Sequence, residues 1–285
     1  VVALHDHGGF KYLGKGKIAR GPSDPPDYVS DYYWPTYYGA RPFANALAKE
    51  GFVVLVHDTF LWGSRRFPLD LMPDWAPDAF DSLDPTTWMD TGVPREVGLY
   101  NFAAAQHEHT VEKYCNLLGT TMAGVVCHED RIALNYLRSR DDVDGDCMGC
   151  VGLSGGGNRA GLLQATYDPL HAAVVVGLMS TYPGLLDHNV ATHTWMLFPG
   201  GWARHGDWPD LVGCRAPSPL LVQYDLEDEL FTVEGMRAAH ERLVAIYAEA
   251  GDRTAYSGQF YPGPHKFDVE MQQAAFAWLK EALRA

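Results

Sequence analysis

The sequence predicts an α/β protein built on a mainly parallel central sheet with helices on both faces. Three observations carry that expectation. Apolar runs alternate with helix-patterned segments along most of the 285 residues, as repeated strand and helix units require. Several runs, among them Phe52-Val53-Val54-Leu55-Val56 and Ala172 to Gly177, are continuously apolar, which is the habit of strands covered on both faces. A third run, Met148 to Leu153, leads into Ser154-Gly155-Gly156-Gly157, where glycines permit a sharp strand-to-helix turn.

In order along the chain, Val1 to Leu4 reads as a first strand. Phe43 to Lys49 reads as a helix, with Gly51 suited to its C-terminal cap, and Phe52 to Val56 as a strand buried on both faces. From about Thr59 to Glu96 the pattern breaks into a Pro- and Trp-rich insertion containing Pro68, Pro73, Trp75, Pro77, Pro85, Trp88 and Pro94. Long segments of this kind are functional or disordered; the tryptophans favour an ordered excursion over the sheet. Val97 to Leu137 is helical with an interruption near Gly119, and it ends before Asp141-Asp142-Val143-Asp144-Gly145. Next come the strand Met148 to Leu153, the helix Asn158 to Thr166, and strands at Ala172 to Gly177 and Pro219 to Tyr224. The helix Val233 to Glu249, the strand Ala255 to Phe260 and the helix Phe267 to Leu283 follow. In that last helix Phe267, Met271, Ala274 and Trp278 form one apolar stripe. With no internal repeat, one domain over residues 1–285 is expected.

Composition excludes several classes. Hydrophobic residues at 47% and charged residues at 20% are ordinary for a globular chain, and no apolar run approaches the roughly 20 residues that span a bilayer. The net charge of -14, with 22 scattered Lys and Arg, argues against nucleic acid as a partner. Cys115, Cys127, Cys147, Cys150 and Cys214 are an odd number and too sparse for a disulfide framework. The Cys147-x-x-Cys150 pair has no second pair, so the cysteines read as small buried residues. The chain opens at Val1 without an initiator Met or signal peptide, so the N-terminus gives no localisation; a soluble protein, with the cytoplasm favoured, is expected.

A serine at its ordinary pKa is a weak nucleophile, so Ser154 needs a base and a carboxylate to orient it. Of twelve histidines, His265 is best placed, because Tyr261-Pro262-Gly263-Pro264-His265 lies between the last strand and the last helix and its Pro and Gly define the turn. The alternative is an ordinary surface-loop histidine. After the strand ending at Tyr224 come Asp225, Glu227, Asp228 and Glu229. Asp228 is favoured as the orienting acid over Asp225, with Glu227 third; the alternative is that these acids cap the next helix. An acyl-transfer site also needs oxyanion donors. His5-Asp6-His7-Gly8-Gly9-Phe10 follows the first strand, and the donors expected are the Gly155 amide and one near Gly9 or Phe10.

The chain order Ser154, Asp228, His265, with His7-Gly8-Gly9 ahead of them, resembles the α/β-hydrolase superfamily. More narrowly, His5 to Lys11, Leu118-Gly119-Thr120-Thr121-Met122-Ala123-Gly124, and Val143-Asp144 through Asn158-Arg159 are similar to the acetyl xylan esterase-like and dienelactone hydrolase-like branch. The resemblance covers nearly the whole chain and implies ester hydrolysis, of a small acyl group, without a cofactor. Family members usually carry strands before the His-Gly turn, and this chain lacks them. The expectation is a serine ester hydrolase that forms an acyl-enzyme from a small-molecule or carbohydrate ester. The alternatives are a peptidase or amidase on the same fold and a non-catalytic binding module.

Other features are set aside. His107-Glu108-His109 suggests metal ligands, but adjacent helix positions face different ways, so no metal is expected. Gly155-Gly156-Gly157 lacks the Lys-Ser/Thr of a nucleotide loop. Trp62, Trp75, Trp88, Trp195, Trp202 and Trp208 read as loop anchors ahead of sugar platforms. Arg65 and Arg66 read as solvated or salt-bridged ahead of a substrate-carboxylate site.

Overall fold

The computed structural model describes residues 1–84, 91–186 and 188–284. Five strands, β1 (Val2–Leu4), β2 (Gly149–Leu153), β3 (Ala172–Val176), β4 (Leu220–Asp225) and β5 (Tyr256–Tyr261), lie side by side in chain order. All four pairings are parallel, with Leu4 opposite Gly152, Leu153 opposite Val176, Val176 opposite Gln223 and Asp225 opposite Tyr261. The helices are α1 (Trp34–Tyr38), α2 (Phe43–Lys49), α3 (Ala76–Asp81), α4 (Arg95–Leu117), α5 (Met122–Arg138), α6 (Gly155–Thr166), α7 (Tyr182–Leu185), α8 (Trp208–Gly213), α9 (Val233–Glu249) and α10 (Val269–Ala282).

Side chains alternate along a strand, and here both sets are buried. Leu4, Cys150, Val175 and Val222 enter a core with Leu134 of α5, Leu163 of α6 and Leu243 of α9. Ala3, Val151, Val174 and Leu221 enter a second core with Phe43 of α2 and Met271 and Phe276 of α10. Helices on both faces explain why the strands read as unbroken apolar runs.

The expected strand at Phe52 to Val56 is corrected to an edge segment. It touches β1 only through a bridge between Val2 and Leu55, with Ala3 N–H donating to Leu55 O at 3.0 Å and Leu55 N–H to Val1 O at 3.0 Å. Val53 is 43% exposed, so the segment is not covered on both faces; β1 is short and offers little ladder to extend. The helical stretch after residue 95 is two helices, α4 and α5. Gly119, at φ +75°, turns the chain between them, and the Thr121 side chain caps α5 by accepting the Gly124 N–H at 3.1 Å. The closing helix starts at Val269, where Asp268 accepts the Met271 N–H at 3.1 Å.

The described residues of the insertion pack against α4. Met72 and Ala76 are buried with Tyr100, Ala103 and Ala104, and Trp62 is buried with Val111 and Cys115; Pro85 and Trp88 lie outside the described residues. All five cysteines are free. Cys147 and Cys214 are exposed, which corrects the expectation that all five are buried: Cys147 falls in the turn before β2. Among the described residues, no helix is long and apolar enough to cross a membrane.

Candidate active site

Ser154 joins β2 to α6 with φ +57° and ψ -120°, a region that a non-glycine residue occupies only when its surroundings hold it there. Its N–H donates to Val176 O at 2.8 Å, and its carbonyl accepts the Asn158 N–H at 2.8 Å. Helix α6 therefore begins at Gly155, earlier than the sequence pattern placed it. The flanking glycines let backbone approach backbone: a Cβ on Gly152 would stand 2.5 Å from the carbonyl carbon of Gly156, and one on Gly156 would stand 2.2 Å from Leu4 O. Gly156→Ala is expected to cost about 3 kcal/mol of unfolding free energy in a urea titration, the upper range for overpacking a tight contact.

His265 sits in the loop between β5 and α10, and its Nδ1 is 2.6 Å from Asp228 Oδ2. The other Asp228 oxygen accepts the Leu230 N–H at 2.9 Å, which fixes the carboxylate. Burial pushes the His265 pKa down, but the hydrogen bond to Asp228 and the charges of Asp228 and Asp225 outweigh it and leave it above its ordinary value. Asp225 closes β4, fully buried, and accepts the Lys266 N–H at 3.1 Å. Burial raises its pKa to about 7, opposed by that hydrogen bond. Glu227 is exposed.

The turn after β1 carries the expected donors Gly9 and Phe10. Gly8 and Gly9 have φ of +57° and +62°, and the turn consumes its own amides. Gly9 N–H donates to His7 Nδ1 at 3.1 Å, and Phe10 N–H donates to His7 O at 3.3 Å. Phe10 turns away toward Tyr33, with ring centroids 5.5 Å apart. The amide beside the Ser154 turn is that of His7, since a Cβ on Gly155 would lie 2.6 Å from His7 N. The amides of Gly9 and Phe10, expected as candidate donors, are thus engaged with His7 inside the turn.

Glu108 of α4 holds this turn in place, a role the sequence did not reveal. It is buried, accepts from His7 Nε2 at 2.9 Å, from Lys11 Nζ, from Thr194 Oγ1 at 2.6 Å and from Trp195 N–H at 3.0 Å. Burial would raise its pKa, but the charges and hydrogen bonds of His7 and Lys11 hold it well below the usual carboxylate range. Because His7 Nδ1 accepts from Gly9, its Nε2 carries the proton given to Glu108. Behind the turn, the Asp6 carboxylate is bound by Tyr33, Tyr38 and Lys17.

Ser154, Gly155, Asn158 and His265 line a cavity of about 220 Å³ with His7, Gly8, Gly9, Tyr37, Leu178, His193, Leu197 and Phe231. Among the described residues, no hydrogen bond joins the Ser154 hydroxyl to His265, whose imidazole is bonded to Asp228. A second hollow of about 200 Å³ shares Gly8, Gly9 and Tyr37 and is lined by Phe10, Tyr32 and Tyr33. A larger hollow of about 720 Å³ lies at His57, His128 and Tyr136, away from Ser154. None of Trp62, Trp75, Trp195, Trp202 and Trp208 lines the first two hollows; Trp62 and Trp208 are buried. Trp88 lies outside the described residues. Arg65 pairs with Glu129, and Arg66 stacks 4.4 Å from the centre of the Tyr12 ring.

No family model matches the chain. A candidate hydrolase of Bacillus subtilis (strain 168), YtaP, is 24% identical over 257 residues, which are 90% of this chain and 69% of that protein. A candidate acetyl xylan esterase of Bacteroides fragilis superposes with a TM-score of 0.61 at 15% identity, over 91% of this chain and 58% of its own. Methylesterase BT1017 superposes with a TM-score of 0.57 at 17% identity, over 99% of this chain and 48% of its own. This chain thus spans little more than half of the first of these structures and about half of the second. A likeness reaching across nearly all of this chain, on a parallel sheet that turns into a helix at a strained serine, makes the fold the α/β-hydrolase fold.

Proposed function

We propose that this protein is a serine carboxylic-ester hydrolase. The observation that carries the reading is Ser154 held at φ +57° on the wall of a cavity shared with His265, the imidazole being bound by a buried carboxylate. Ser154 Oγ attacks the ester carbonyl while His265 Nε2 takes its proton. Asp228 keeps the other ring proton on Nδ1, so that Nε2 presents a lone pair, and it stabilises the imidazolium that forms. The tetrahedral oxyanion takes hydrogen bonds from the amides of Gly155 and His7, fixed donors that need no reorientation as charge develops. Collapse expels the alkoxide with the proton from His265, and water then cleaves the acyl-enzyme by the same sequence. A cavity of about 220 Å³ suits a small acyl group.

Turnover of p-nitrophenyl acetate set against p-nitroanilide and peptide substrates tests the reading: rapid ester hydrolysis is expected, and efficient amide cleavage with negligible ester cleavage would make the protein an amidase. Asp228→Asn should lower kcat about 10⁴-fold, since it removes the charge that fixes the histidine tautomer. The base must be neutral to act and its pKa is raised, so kcat/KM should climb with pH through a midpoint above the ordinary histidine value of 6.5. A midpoint below 6.5 would contradict the assignment of His265.

A further inference from the structure

Asp225 buries its whole side chain, and its Oδ1 has no hydrogen-bond partner among the described residues. Oδ2 accepts the backbone N–H of Lys266, the residue after His265. One oxygen of Asp225, one of Asp228 and a ring nitrogen of His265 lie within 4.8 Å of one another. Two carboxyl groups therefore converge on one imidazole, and Asp228 holds its Nδ1.

The surroundings decide what the second carboxyl does. Leu178, Met179, Tyr224, Phe231 and Met236 line a small void together with Asp225 and Asp228. The charged groups that face it are Asp228 from its own loop and His265 and Lys266 from the loop before α10. Lys266 Nζ is bound to Asp268 at 2.6 Å. Asp6 adds its field at His265, and His193 interacts with Asp228 and His265. The Asp228 charge this close disfavours a second ionised carboxylate, and the ring competes with Asp225 for the same proton, so the coupled groups titrate as a unit.

Resting on the serine-hydrolase reading of this site, we infer that Asp225 is a positioning residue that shares one ionisation with His265, a single proton being held by the carboxyl or by the ring. The first proton the pair takes up sits either on the ring, with Asp225 ionised and supporting the imidazolium, or on the carboxyl, with the imidazole neutral; at higher pH that proton leaves and both groups are deprotonated. The exchange falls in the neutral range because burial brings the Asp225 pKa to about 7. Asp225 and His265 together then set the pH range over which the base is available.

The test is an imidazole and carboxyl NMR titration of the 285-residue protein, as wild type and as Asp225→Asn, in which the amide oxygen still accepts the Lys266 N–H. In the wild type, the Asp225 carboxyl carbon and the His265 ring should titrate together in a broad, two-step curve. In Asp225→Asn, His265 should titrate in one step, with its midpoint lowered by about half to one pH unit, because an anion that favours the imidazolium is gone. The acidic limb of kcat/KM should move down with it. An unmoved His265 midpoint overturns the inference. So does a wild-type Asp225 carbon that remains an ionised carboxylate throughout, a measurement that requires no variant. Loss of turnover in Asp225→Asn with near-normal Asp228→Asn overturns it too, by making Asp225 the orienting acid. The titration needs no turnover, so absence of ester hydrolysis in the wild type counts against the hydrolase reading, and the spectra still decide the coupling.

Discussion

Ser154→Ala is expected to lower ester turnover about 10⁵-fold while leaving the protein folded. The magnitude follows from removing the nucleophile of a unit whose members act together: without the hydroxyl, the base and its carboxylate have nothing to activate. Residual activity comes from the oxyanion donors and from binding alone. Alanine keeps the Cβ and the backbone bonds of residue 154 to Val176 and Asn158, so unfolding free energy should change by only about 0.5 kcal/mol. Kinetics on p-nitrophenyl acetate, paired with a urea titration, check both halves. A tenfold loss or less would place the chemistry elsewhere.

Asp130→Ala is expected to cost about 3–5 kcal/mol, the penalty for leaving a buried charge without its partner. Arg159 and Asp130 are buried at 1% and 0% exposure. They pair through two contacts, Nε to Oδ2 at 2.9 Å and Nη2 to Oδ1 at 2.6 Å. The guanidinium also donates to His5 O at 3.2 Å, and His57 Nε2 lies 2.8 Å from Asp130 Oδ1. Arg159 thereby ties the helix that follows Ser154 to the strand end that precedes His7. Loss of Asp130 should accordingly reduce turnover as well as stability. The double variant Asp130→Leu/Arg159→Met should recover part of the stability, because replacing both charges by apolar groups leaves no buried charge unpaired, while His5 O and His57 Nε2 lose their partners. A double variant no more stable than Asp130→Ala would contradict this account.

What was legible in the sequence is what local chemistry dictates. Ser154 could be read because a backbone approach of Gly156 to Leu4 O requires glycine, and the requirement is written at consecutive positions. The strands β2, β3 and β4 were legible because helices cover both faces and every position must be apolar. An apolar run alone does not distinguish a central strand from an edge, so Phe52 to Val56 looked deeper than it lies. The π-helical turn Tyr28–Tyr33 leading into α1 escaped because its aromatic residues follow no clean helical stripe. The sequence pointed to Gly9 or Phe10 for the second oxyanion donor where the proposed reading uses His7, since the direction of each amide depends on which ones the turn spends on His7. Glu108 stayed hidden because its partners His7 and Thr194 lie 101 and 86 residues away, beyond any local pattern.

A covalent adduct tests the nucleophile most directly. Treating the protein with a fluorophosphonate and mapping the product by mass spectrometry should give one stoichiometric adduct on the peptide that contains Ser154. The adduct should be absent from Ser154→Ala and slowed in His265→Ala, where the base is missing. A wild-type protein that stays unlabelled, or one labelled at another serine while Ser154→Ala retains full turnover, would contradict the assignment of Ser154 as the nucleophile.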